Sequence, residues 1–102
     1  MKFEIPTTFN IGGVKHTVKI ETIVGEGCDF GQFDPVGVIS LAEQLGSREV
    51  SQTKREQTFF HELTHAILNA MRKDDLYEDE SFVNTFSSFL YEAISTAKTK
   101  EE

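Results

Sequence analysis

The stretch Phe59-Phe60-His61-Glu62-Leu63-Thr64-His65-Ala66-Ile67 lies in a run, from residue 47 to residue 102, that contains neither glycine nor proline. Around it Phe59, Phe60, Leu63, Ile67, Ala70 and Met71 recur at helical spacing and lead to Arg72-Lys73, basic residues suited to a helix C-terminus. Thr53-Lys54-Arg55-Glu56 has the spacing of a capping box ahead of that apolar run, with Ser47 as an alternative start. Residues four apart on a helix stand one above the other, so His61 and His65 can present imidazole nitrogens to one point. Glu62, one position round the helix, can reach a water held there without being a ligand itself. Two imidazoles and an adjacent carboxylate in this order are two metal ligands and a general base, and the pattern predicts a zinc ion (Zn2+).

Zinc at a hydrolytic centre takes three protein ligands as a rule. No histidine or cysteine follows His65, so the third ligand is expected to be a carboxylate, from Asp74, Asp75, Glu78, Asp79, Glu80 or Glu92. Asp75-Leu76-Tyr77-Glu78 repeats the capping spacing, and Phe82, Val83, Phe86, Leu90, Ala93, Ile94 and Ala97 mark the apolar stripe of a second helix. The first helix runs on for roughly 10 Å past His65 before the turn. An antiparallel helix starting near Leu76 therefore regains the height of the metal near Glu80. Asp74 and Asp75 lie in the turn, and Glu92 lies too far along. Glu80, Asn84, Ser87 and Tyr91 share one stripe, which makes Asn84 a candidate hydrogen-bonding partner behind the ligands.

Ahead of this helical half, six of the seven glycines and both prolines precede Gly46. Phe9 and Ile11 lead into Gly12-Gly13, and Val14, His16, Val18 and Ile20 then alternate with Lys15, Thr17, Lys19 and Glu21, the pattern of a hairpin with one buried face. His16, flanked in that alternation by Val14 and Val18, is expected on the sheet rather than at a catalytic centre. After the Gly-rich connection from Gly25 to Gly31 and the punctuation Asp34-Pro35, Val36 to Leu41 reads as a third strand. The expected fold is α+β: a small antiparallel sheet of about three strands, then the active-site helix and an antiparallel second helix. It forms one domain over residues 1–102, mainly β to 46, mainly α over 47–97, with a frayed tail at 98–102.

The balance of 10 basic against 17 acidic residues, a net charge of −7, argues against a bulk electrostatic hold on nucleic acid or anionic lipid. No apolar run approaches the ~20 residues of a membrane span, and the opening Met1-Lys2-Phe3-Glu4-Ile5-Pro6 lacks the pattern of a secretory leader. Cys28 stands alone, which fits a reducing, cytoplasmic compartment; it is read as a small apolar filler or as a group near the metal. Neither nucleic acid nor a membrane is expected as a partner.

The HExxH run followed by Glu80-Ser81-Phe82-Val83-Asn84-Thr85-Phe86-Ser87 resembles the gluzincin metallopeptidases. The likeness is greatest to minimal gluzincins and to the ImmA/IrrE-type peptidases common in phages and mobile elements. In that family a "glutamate helix" carries a Glu-x-x-Ala-Asn-x-Phe-Ala-like run. Glu80, Asn84 and Phe86 match its Glu, Asn and Phe, while Val83 and Ser87 stand where it has Ala. The resemblance implies that the strand before the active-site helix pairs with extended substrate, here Val36 to Leu41 with Val38, Ile39 and Ser40 at its centre. It also implies a Tyr or His that stabilises the oxyanion; Tyr77, Tyr91 and His16 are the candidates and none is singled out. A peptide or protein substrate is what the resemblance implies, and the expected activity is hydrolysis of peptide bonds by a zinc-bound water with Glu62 as general base. The alternative is a non-catalytic or latent zinc-stabilised module that binds a regulatory protein through the strand Val36 to Leu41.

Overall fold

The alternation around Gly12-Gly13 forms a hairpin in which β1 (Thr8–Ile11) pairs antiparallel with β2 (Val14–Glu21), Phe9 opposite His16. The structure, a computed structural model, describes residues 3–27 and 29–100; Cys28 and the last two residues of the expected tail lie outside them. From β2 the Gly-rich connection crosses to the far edge of the sheet, where β3 (Gly31–Asp34) begins. The chain turns at Pro35–Gly37, where Gly37 has φ 104°, and returns as β4 (Val38–Ala42) between its neighbours. The sheet order is β1-β2-β4-β3, with β4 parallel to β2 and antiparallel to β3.

The sheet is therefore mixed and four-stranded rather than antiparallel and about three-stranded. A parallel pair needs a crossover between its strands, and residues 22–37 supply it while laying down β3, a strand hidden in what reads as a loop. A two-strand ribbon, β5 (Gln44–Leu45) with β6 (Arg48–Glu49), leads into the helices.

Helix α1 (Gln52–Met71) starts at neither Thr53 nor Ser47: Ser51 is the N-cap, its hydroxyl accepting from the Lys54 N–H at 3.1 Å. It ends at Arg72, which takes the left-handed conformation at φ 58°. Phe59 and Phe60 rest on Val18, Ile39 and Leu41 of the sheet, and Ile39 and Leu41 are fully buried. Full burial of one such side chain stabilises by about 1.5–3 kcal/mol, so this patch anchors α1 across the sheet. His16 is buried at the end of the same face, stacked between Phe9 and Phe33 with its Nδ1 2.9 Å from the Val14 carbonyl.

The expected second helix is two pieces. A single turn, α2 (Asp74–Tyr77), has no side-chain cap, and the chain breaks before α3 (Glu80–Thr96). The Asp75–Glu78 box does not form; Asp79 caps instead, its Oδ1 accepting from the Phe82 N–H at 3.1 Å. α3 runs antiparallel to α1: Glu80 meets His65, while further along α3 Tyr91 meets Phe60 and Glu56. Of the apolar stripe, Val83 is fully buried, whereas Phe86, and Phe89 beside it, are 45% and 68% exposed, because no element among the described residues covers that flank. No helix among the described residues is long and apolar enough to cross a membrane.

Candidate metal centre and cleft

His61 and His65 sit in the middle of α1, where the helix packs on the sheet below and on α3 alongside. Their rings lie 5.0 Å apart, and both Nε2 atoms face the carboxylate of Glu80. His61 Nε2 is 3.3 Å from Glu80 Oε2, and His65 Nε2 is 3.2 Å from Glu80 Oε1. Three ligand atoms, one from each residue, lie within 4.8 Å of one another. Ligands about 2.0–2.1 Å from a tetrahedral zinc stand about 3.3 Å apart, so both nitrogen-to-carboxylate separations suit a shared cation. Two imidazoles and one carboxylate are also the donor set that zinc accepts at hydrolytic centres. The group His61, His65 and Glu80 can thus hold a metal ion, with the ligands where the sequence placed them.

Burial at His61 favours the neutral imidazole, the form that binds metal. Burial lowers the pKa of His61; Glu80 and a hydrogen bond to the Asn84 side chain oppose the shift, and His65 and Lys54 add to it. Asn84 thus meets a ligand ring, one turn along α3 from Glu80. His65 is held differently. Its Nδ1 is buried without a partner among the described residues, and its ring packs against Tyr77 at 4.6 Å between centroids.

Glu62 points into the cleft beside these ligands, its Oε2 4.0 Å from His61 Nε2. Burial pushes its carboxyl up to about 7, and the charges of Glu80 and Asp29 add to the effect. A cation at the three ligands would pull it back down. Glu62 lines two adjoining hollows, of about 370 Å³ towards Asn84, Ser88 and Lys54 and about 710 Å³ along β3. The wall between sheet and helix is set by Gly31, where a Cβ would meet Thr58 of α1 at 2.6 Å and the Ser40 carbonyl at 2.9 Å.

Val38 and Ser40 line the larger hollow, but the expected substrate strand Val38, Ile39 and Ser40 offers no free edge. β4 is hydrogen-bonded on both edges, to β2 and to β3, so its backbone has nothing left for an extended peptide. The edge strand beside Glu62 is β3, unpaired on its outer side among the described residues. Gln32-Phe33-Asp34 just before Pro35 is the only sequence signal for it, and four residues are too few for periodicity to declare a strand.

Of the three oxyanion candidates, one is in ring contact with the His61, His65 and Glu80 group among the described residues. Tyr77 packs on His65, and its pKa is raised by burial and by the charges of Glu62 and Glu80. Tyr91 donates its hydroxyl to Glu56 at 2.9 Å, at the far end of the smaller hollow. His16 is enclosed by Phe9 and Phe33 in the sheet. A scan against protein-family models, a search of curated proteins and a search of solved structures each found no match to this chain, so its chemistry has to be read from its own residues.

Proposed function

We propose that the chain is a zinc-dependent metallopeptidase of gluzincin type, hydrolysing peptide bonds in a peptide or protein substrate with Glu62 as general base. The observation that carries the reading is the convergence of His61, His65 and Glu80 on one point with the buried Glu62 carboxylate beside it, where two hollows meet. A zinc ion there supplies Lewis acidity to the scissile carbonyl and lowers the pKa of a water.

The remaining work falls to side chains. Glu62 accepts the proton of the attacking water and passes it to the leaving amine, a task within reach of its buried carboxylate beside His61. Tyr77, whose ring packs on His65, is our candidate donor to the oxyanion, and Asn84 steadies the His61 ring. An extended substrate adds to the free edge of β3, which borders Glu62. A lone cysteine and the acidic balance fit a reducing cytoplasm, where we place the activity.

The test is metal analysis and peptide hydrolysis by the wild type beside Glu62→Gln, which is nearly isosteric but takes no proton at neutral pH. Zinc in both, with hydrolysis reduced by about 10²–10⁴-fold in the variant, is expected. Zinc in both and hydrolysis in neither would make the three ligands a structural clip between α1 and α3.

A further inference from the structure

The start of α1 runs against its own electrostatics. A helix N-terminus favours carboxylates and disfavours cations, and an N-cap serine calls for Glu or Gln three residues on, to close a capping box. Ser51 is followed at that position by Lys54, then Arg55, and the first turn holds no acidic residue. This is in a chain with 17 acidic residues and 10 basic ones. Lys54 also has no carboxylate within ion-pair distance among the described residues.

Its place explains the choice. Lys54 lies two turns before His61 on the same face of α1, about 10 Å along the axis, and lines the 370 Å³ hollow that begins at His61 and Glu62. Its ammonium sits 4.5 Å from the centroid of Phe30, a contact that positions the charge without neutralising it. The nearby carboxylates are engaged: Asp29 by Gln32 at 3.1 Å, and Glu56 by Tyr91 and Gln52 at 2.9 and 3.1 Å. Glu62 stands at the other end, beside the ligands. Between the two ends the wall offers, among the described residues, the amide of Gln57 and the hydroxyl of Ser88 without hydrogen-bond partners, and no aliphatic side chain.

We propose that Lys54 makes the far end of this hollow a carboxylate-binding site, so that the preferred peptide carries a carboxylate about three residues from the scissile bond, the span of 10 Å of extended chain. This rests on the peptidase reading and names its substrate class. The carboxylate comes from an Asp or Glu side chain or from the peptide's own C-terminus.

Binding to the zinc-loaded Glu62→Gln protein tests it without turnover. Four fluorescein-labelled decapeptides are titrated by anisotropy: three amidated, differing only in one Glu, Gln or Lys, and the Gln peptide with a free C-terminus. The Glu peptide is expected to bind about fivefold more tightly than its amidated Gln counterpart, the upper range for a solvent-accessible ion pair, with the margin shrinking as salt is raised. An equal or larger gain for the free C-terminus would assign the carboxylate to the chain end. In Lys54→Met the margin disappears. In Lys54→Glu it inverts in favour of the Lys peptide while the melting temperature holds or rises, because Glu closes the capping box with Ser51. Equal binding of all the peptides, or a margin that survives Lys54→Glu, overturns the carboxylate site and leaves the peptidase reading standing. Binding of none of them, with no hydrolysis by the wild type, overturns both.

Discussion

The two arms of the candidate metal site are built in opposite ways. His61 and His65 come from the middle of a 20-residue helix, clamped between sheet and α3, with side chains only 24% and 10% exposed. Glu80 comes from the first residue of α3, is 61% exposed, and is held in place by one cap and by the short turn that precedes it. The imidazole arm is fixed by the same packing that fixes the fold. The carboxylate arm is fixed by a helix start, where backbone order is weakest. Damage to the first arm should therefore reach the metal and the core together, and damage to the second the metal almost alone.

His65→Ala should have the largest effect. It removes a ligand and leaves a hole against Tyr77, so zinc should fall from one ion per chain to near none by elemental analysis. The metal-free protein should also lose stability, by about 1–3 kcal/mol in denaturant titration. Next is Glu80→Ala, which leaves two imidazoles and an exposed surface. Zinc affinity should drop by more than the about 10–100-fold typical of losing a group behind the ligands, while the metal-free stability stays within about 0.5 kcal/mol. The contrast would break if Glu80→Ala destabilised the metal-free chain as much as His65→Ala does. Asn84→Ala should rank below both, with an affinity loss of about tenfold, because it removes only the hydrogen bond to His61.

The same division decided what the sequence could convey. The imidazole arm was legible because a five-residue motif on a long periodic helix depends on local geometry alone. Glu80 was legible too, through an argument that was only partly right: its height beside the metal was expected from a helix beginning near Leu76, whereas α3 begins at Glu80 itself. The intervening turn uses up the same length of chain. In the sheet, the Val14–Ile20 alternation was readable, but β3 and the parallel pairing of β2 with β4 were not. They depend on a crossover whose course is set by packing against Thr58 and Leu41, not by any pattern within it. Lys54 was masked differently: reading Thr53 to Glu56 as the capping box hid Ser51 and, with it, the oddity of a lysine three residues on.

The break between α2 and α3 yields the smallest effect and tests how the carboxylate arm is held. Two aspartates compete for the role of helix start, Asp75 by sequence spacing and Asp79 by structure, and only Asp79 bonds to a helix N–H. Losing an N-cap costs about 1 kcal/mol, so Asp79→Ala should lower the unfolding free energy from denaturant titration by that amount and let the first turn of α3 fray. Fraying reduces the fraction of molecules with Glu80 in position, and apparent affinity falls by the same fraction. About 1 kcal/mol corresponds to about fivefold, well below the loss from Glu80→Ala, since the ligand is still there when the turn is formed. Added zinc should recover part of the lost stability, because metal that binds the folded state shifts the equilibrium by mass action. Asp75→Ala should change stability by a few tenths of a kcal/mol at most and leave zinc affinity alone. If Asp75→Ala proved the more damaging of the two, the second helix would begin a turn earlier than described, and Glu80 would be held as firmly as the histidines.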